Sequence, residues 1–449
     1  MTKRSAGGVE VSPTRHSALL SAIVALVVVL SAAIYVGVAD GGGNALAGTR
    51  TPHGSAAPVS TGTWVGAWSA SPVGAEPGTE LTGMAGRSVR NVVHTSVGGT
   101  SARVTLSNLY GQEPLTVTHA SIALAADDSA AAAAGTMRRL TFGGATAVTI
   151  PAGQQVLSDA VRVHVPQGAD VLVTLYSPIR SGSVTYHPHA RQLSYVAAGD
   201  RTEDVTATPY TEQTEYWRYL TALDVLSDDA DGTVVVLGDS ITDGITSTEG
   251  ANRRWPDVLS QRLRTVVESG QDVPRYSVVN QGISGNQVLA DGTGRPADNP
   301  SGLHRFGRDV LGRTNVKVVV IDLGVNDILR DRKLADPDRI VEGLRTLVRR
   351  AHARGLKVVG ATLMPCRGHR GCTAAREDVR QQVNARIRGG GVYDAVVDFD
   401  KALRDPYDPR RLRSDYDSGD HLHPSDRGYR EMADVFDLGD LKGTASAAL

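Results

Sequence analysis

Residues 233–244 read TVVVLGDSITDG. The apolar run Val234–Leu237, rich in β-branched residues, has the look of a strand buried on both faces, and Gly238 ends it. Four runs of the same kind follow: YSVVN at 276–280, VKVVVIDLG at 316–324, LKVVGATL at 356–363 and DAVVDF at 394–399. Between them lie amphipathic stretches such as WPDVLSQRLRTVV at 255–267 and PDRIVEGLRTLVRRAHARG at 337–355, apolar at helical spacing. The alternation predicts an α/β unit over residues 229–449, built on a parallel sheet with helical crossovers. In such sheets the chemistry lies beyond the carboxyl ends of the strands.

Working back from this unit, residues 61–228 follow another pattern. SVRNVVHTSV, ARVTLSN, LTVTHASIAL, AVRVHVP and DVLVTLYS are short runs of β-formers separated by Gly, Pro and Asn. That spacing predicts a β-sandwich-like domain. Residues 40–60 are mostly Gly, Ala, Ser, Thr and Pro without apolar periodicity, and read as a flexible linker. Residues 1–39 hold Lys3, Arg4 and Arg15 ahead of the uncharged apolar run 18–39. This is a signal peptide or a signal-anchor helix, with small-residue cleavage sites at Gly37-Val38-Ala39 and Ala45-Leu46-Ala47. Either reading puts the rest of the chain outside the cytoplasm, secreted or held at the membrane.

The chain has 449 residues, 41% of them hydrophobic and 21% charged, with a formal net charge of −1. A sizeable core is available, and no basic excess points to nucleic acid. The two cysteines, Cys366 and Cys372, stand in PCRGHRGC. In an exported protein such a close pair is expected to form a disulfide; zinc through His369 is the alternative, with an incomplete ligand set.

Four segments carry candidate chemistry. Ser240 follows a buried strand directly, as a nucleophile would, although a helix cap gives the same pattern. In NQGISG (280–285) Gly282 lets backbone approach a ligand, so its N–H could meet an oxyanion, and a plain glycine turn is the rival. In GVND (324–327) Asn326 offers an uncharged N–H donor, or a cap. In SGDHLHP (418–424) the spacing lets Asp420 orient His423 while the other ring nitrogen faces a serine. A metal reading of Asp415, Asp417, Asp420, His421 and His423 lacks the spacing of a calcium loop. Trp255 reads as helix packing, His421 and Leu422 as rim and spacer, and His187 and His189 as strand surface.

Together GDSITDG, NQGISG, GVND and DHLHP resemble the four signature blocks of the SGNH/GDSL hydrolase family. WVGAWSASP (64–72) and GDSITDGITSTEGANRRWPDVL (238–259) are also similar to a bacterial subfamily of arylesterases and acylhydrolases with an N-terminal β domain. The resemblance implies a flavodoxin-like three-layer α/β domain. It implies Ser240 as nucleophile and backbone oxyanion donor, Gly282 as the second backbone donor and Asn326 as the side-chain donor. Asp420 and His423 become the relay. The expected reaction is hydrolysis of short-chain acyl, aryl or carbohydrate esters through an acyl-serine, without a cofactor. The partners expected are a small-molecule or carbohydrate ester and, if the N-terminal helix is uncleaved, the membrane. Two alternatives use the same residues differently: acyl transfer to a sugar or alcohol, and a surface carbohydrate-binding protein with a vestigial hydrolase domain.

Overall fold

A computed structural model describes residues 62–292 and 299–444, which belong to one compact unit. The apolar run 18–39 and the linker 40–60 lie outside the described residues, and among those described no helix is long and apolar enough to cross a membrane.

Five strands form the parallel sheet: β1 (Gly232–Gly238), β2 (Tyr276–Gly282), β3 (Val316–Asp322), β4 (Lys357–Ala361) and β5 (Ala395–Val397). Their spatial order is β2-β1-β3-β4-β5, that of flavodoxin-like doubly wound sheets. Side chains alternate across the sheet, which explains why the strands read as continuous apolar runs. On one face Val234, Val236 and Val320 meet Trp255, Leu259 and Tyr429. On the other Val235, Leu237 and Ile321 meet Ile340, Leu344 and Val383.

The helices around the sheet are α1 (Ser240–Asp243), α2 (Trp255–Glu268), α3 (Gly302–Phe306), α4 (Val325–Leu329), α5 (Pro337–His352), α6 (Ala374–Arg388), α7 (Phe399–Leu403) and α8 (Asp426–Asp434). Local chemistry sets the starts of the long ones. Asp336 caps α5 ahead of Pro337, Thr373 caps α6 and Ser425 caps α8, each side chain accepting from a backbone N–H of the first turn.

The N-terminal part is β-rich. Strands Thr63–Ser69, Leu220–Ser227, Gly99–Ser107 and Val161–Val165 form one antiparallel sheet, with Gln155–Leu157 beside Gly99–Ser107. A six-stranded sheet is centred on Arg87–His94 and Asp170–Ser177. Val65, Val104 and Leu223 of the first pack against Val89, Val93 and Val173 of the second. A third, small sheet joins Trp217–Arg218, Thr185–His187 and Gly74–Ala75.

This β-rich part is bonded directly to the α/β sheet. Gly66 N–H donates to Thr233 Oγ1 at 3.1 Å, and Val278 N–H of β2 donates to Ser96 Oγ at 3.3 Å. Gln281, at the end of β2, reaches both Ser69 and Ser71. His187, expected on a strand surface, is instead only 3% exposed at this seam, because its ring is drawn to buried acceptors on either side.

Candidate active site

The sheet order reverses between β1 and β3, so the crevice opens beyond their carboxyl ends. Ser240 follows β1 there and opens the one-turn helix α1. Asn326 follows β3, in the first turn of α4. The C-terminal segment returns to the same place. Thr246 Oγ1 donates to Pro424 O at 2.7 Å, and Tyr429 O–H donates to Ile245 O at 2.6 Å. These bonds tie the segment after Ser240 to the turn that holds His423.

Ser240 Oγ lies 2.8 Å from His423 Nε2. His423 Nδ1 lies 2.5 Å from Asp420 Oδ2. The backbone N–H groups of Leu422 and His423 donate to Asp420 Oδ1 at 2.9 and 2.8 Å. Partial burial alone would raise the Asp420 carboxyl, but the His423 ring and these two amides outweigh it and hold the group well below the usual carboxylate range. A carboxylate on Nδ1 leaves Nε2 as the basic nitrogen, aimed at a hydroxyl. The arrangement can draw a proton from Ser240 and return it to a leaving group.

Asn326 does not cap α4; Gly324 holds that position. Its amide Nδ2 donates to Asp239 Oδ2 at 3.2 Å, while Oδ1 accepts from Arg330 Nε at 3.0 Å. Asp239 also caps α1 through Oδ1, accepting from Ile241 N–H at 3.0 Å. Burial and the neighbouring Asp322 push the Asp239 carboxyl well above its ordinary value.

Gly282 is placed differently from its expected role. Its N–H donates to Asn280 Oδ1 at 2.8 Å and so does not face the crevice as a free donor. The glycine is needed for close approach instead: a Cβ there would lie 2.3 Å from Asp243 N. Gly285, at φ +80°, sits beside Arg330, whose guanidinium occupies the space a Cβ would take. Among the described residues its amide donates to no acceptor.

Residues 236–431 match the GDSL-like lipase/acylhydrolase family. The chain carries a GDSL-like lipase/acylhydrolase domain. The protein is a carboxylic ester hydrolase. No curated protein matches the chain significantly in sequence. Solved structures that resemble it include a GDSL-like lipase from Bacteroides thetaiotaomicron, at 22% identity over 45% of this chain and 84% of that one, TM-score 0.33. A carbohydrate acetylesterase from Sinorhizobium meliloti has 16% identity over 45% and 95%, TM-score 0.34. A family two carbohydrate esterase from Clostridium thermocellum, in complex with cellohexaose, has 16% identity over 81% and 95%, TM-score 0.33.

The rim of the GDSL domain's crevice is polar. Cys366 and Cys372 are disulfide-bonded, Cα to Cα 5.8 Å, which uses the sulfurs that a zinc site would need as thiolates. Inside the loop they close, His369 lies within electrostatic reach of Asp420, His423, His421 and Arg330. His421 is held aside by Asp417, Nδ1 to Oδ2 2.6 Å. Trp255 packs edge-on against Phe399 beneath the sheet and is fully buried, as expected of a helix-packing residue. Sequence reading missed Asp239 and Arg330. The only signal for either was its position, directly before the serine and four residues after the asparagine.

Proposed function

We propose that the GDSL domain cleaves esters of short acyl groups, on small aryl or carbohydrate alcohols, through an acyl-serine on Ser240. The observation that carries this reading is the unbroken line Asp420–His423–Ser240, with contacts of 2.5 and 2.8 Å. His423 Nε2 accepts the Ser240 proton as Oγ attacks the ester carbonyl. The imidazolium is stabilised by Asp420 and then protonates the leaving alkoxide. Water repeats the two steps on the acyl-serine and frees the acid.

The carbonyl oxygen takes up charge between Asn326 Nδ2 and the amides of Ser240 and Gly285. Ser240 opens α1, where a helix leaves backbone N–H groups without intrahelical partners. Gly285 takes the role first expected of Gly282, whose amide is committed to Asn280. The polar rim of His369, His421, Asp417 and Arg330 favours a hydroxyl-bearing alcohol and a small acyl group over a long alkyl chain. Export also belongs to this reading, on the strength of the apolar run behind Lys3, Arg4 and Arg15.

The test is a panel of aryl and acetylated-sugar esters of rising acyl length, assayed with wild type and Ser240→Ala. Turnover of the short-chain members by wild type alone is expected. A wild type inert on the whole panel, or a Ser240→Ala variant that still releases acid, would refute the reading.

A further inference from the structure

His187 ends the strand Thr185–His187 in the β-rich part, and both its ring nitrogens face acceptors. Nδ1 lies 2.7 Å from Ser71 O, and Nε2 lies 3.0 Å from Asp243 Oδ1. A carbonyl only accepts, so Nδ1 carries a hydrogen; the second hydrogen lies between Nε2 and the carboxylate. The result is a hydrogen-bonded pair closed off from water, with His187 3% and Asp243 2% exposed. The Trp217 ring lies across the imidazole, centroids 5.4 Å apart.

Asp243 is the last residue of α1, the turn that Ser240 begins. Its other oxygen accepts from Ser284 N–H at 3.0 Å and Ser284 Oγ–H at 2.5 Å. Ser284 directly precedes Gly285. One carboxylate therefore joins three segments that chain connectivity does not: the β-rich part, the nucleophile turn and the turn offering an oxyanion donor. Arg305 braces the same place from below. It donates to Gly238 O at 2.8 Å and Gln281 O at 2.7 Å, the ends of β1 and β2, and to Ser71 Oγ at 3.0 Å. Ser71 thus meets both side chains, His187 at its carbonyl and Arg305 at its hydroxyl.

Remove the imidazole, and Asp243 Oδ1 becomes a buried carboxylate oxygen with no donor. Such a group rotates toward water or takes up a proton, and either response loosens its hold on Ser284. We infer that His187 is a positioning residue for ester hydrolysis: through Asp243 it fixes the Ser240 turn against the Ser284–Gly285 turn. The β-rich part is then a component of the active site rather than an appended module. The inference rests on the reading of Ser240 as nucleophile.

The test uses the full-length protein and two readouts. One is steady-state hydrolysis of p-nitrophenyl acetate, and the other is the rate at which a fluorophosphonate labels Ser240. A misplacement of this kind costs about 10- to 100-fold in rate. His187→Ala should lower kcat by about that factor with KM changed less than about threefold, and should slow labelling in parallel. His187→Gln, which keeps an N–H donor toward Asp243, should recover most of the loss. Adding Ser284→Ala to His187→Ala should cost no more than the larger single effect, because both act through one carboxylate.

A folded His187→Ala protein with near-normal kcat and labelling would overturn the inference. So would full additivity with Ser284→Ala, or a Gln variant as slow as the Ala variant. If His187→Ala does not fold, His187→Gln and Ser284→Ala decide: normal kcat in Ser284→Ala overturns it. A wild type that neither turns over esters nor labels at Ser240 would instead bring down the nucleophile assignment.

Discussion

Arg330 Nε donates to Asn326 Oδ1 at 3.0 Å, from the residue that closes the short helix Asn326 lies in. The bond fixes which end of the amide is which: with Oδ1 held by a cation, Nδ2 must face Asp239 and the Ser240 turn. Arg330→Ala should free the amide to flip, lowering kcat about tenfold with a smaller change in KM. Arg330→Lys should restore part of the rate. Steady-state kinetics on a short-chain aryl ester reads both, and an unchanged kcat in Arg330→Ala would show that the amide needs no such clamp.

Asn326 itself gives the larger effect. A donor to the oxyanion binds the tetrahedral species better than the ester, so its loss falls on kcat rather than KM. Asn326→Ala should lose on the order of 10²–10³ in kcat, and little more on top of Ser240→Ala. The same variant checked by thermal melting should stay folded. A fully folded variant with near-normal kcat would remove Asn326 from the oxyanion site.

Asp420 is held well below the usual carboxylate range, so it stays ionised across the working pH range. Its contribution to stability is present above the unfolded-state value of about 4 and is lost as pH falls through the lowered folded value. No acid limb of the pH–rate profile above about pH 4 should belong to it. Asp420→Asn should preserve the fold and drop kcat by on the order of 10³–10⁴, since the amide no longer selects the tautomer with Nε2 free.

Asp327 behaves in the opposite sense. Burial pushes its carboxyl up to about 6, against the Val288 and Leu289 amides that donate to it at 2.7 and 3.0 Å. A proton bound more tightly in the folded state stabilises below the unfolded value, and that stability is lost as pH rises from about 4 to about 6. Urea unfolding at pH 4.5 and 6.5 should show this decline in wild type, and a shallower one in Asp327→Asn. Equal slopes would mean that Asp327 does not titrate in this window.

The parallel sheet was legible because buried strands repeat one apolar pattern five times; the order of its strands came only with the family resemblance, since an apolar run does not say which strand it pairs with. Ser240, Asn326, Asp420 and His423 were legible because each stands just past a strand or in a turn of suggestive spacing. Gly282 was misjudged for a local reason: Asn280, two residues earlier, supplies a side-chain acceptor that takes its amide. His187 was out of reach for a different one. Its partner Asp243 lies 56 residues away across the seam, and no periodicity marks a single residue that switches from strand surface to interior.

The Cys366–Cys372 loop should matter more for the rim than for the fold. So short a loop removes only roughly 2 kcal/mol of unfolded-chain entropy. Within it Gly368 lies against the His421 ring, where a Cβ would come within 2.9 Å of Cγ. Replacing both cysteines by serine should lower the melting temperature by a few degrees and raise KM for a sugar ester, leaving kcat on p-nitrophenyl acetate within about twofold. A matched loss of kcat on both substrates would place the loop's influence deeper than the rim.

The contact between Ser96 and Val278 has a bearing on how the chain can be handled. β2 is an outer strand of the parallel sheet, and its free backbone donors invite pairing with another chain. Ser96 covers one of them with a hydroxyl, and the strand Thr63–Ser69 lies alongside. Cut at residue 229, the hydrolase half would carry every residue of its relay but an uncovered strand margin. Such a fragment would be expected to associate through that margin and precipitate, so the smallest tractable piece of this enzyme is the chain from about residue 61 onward.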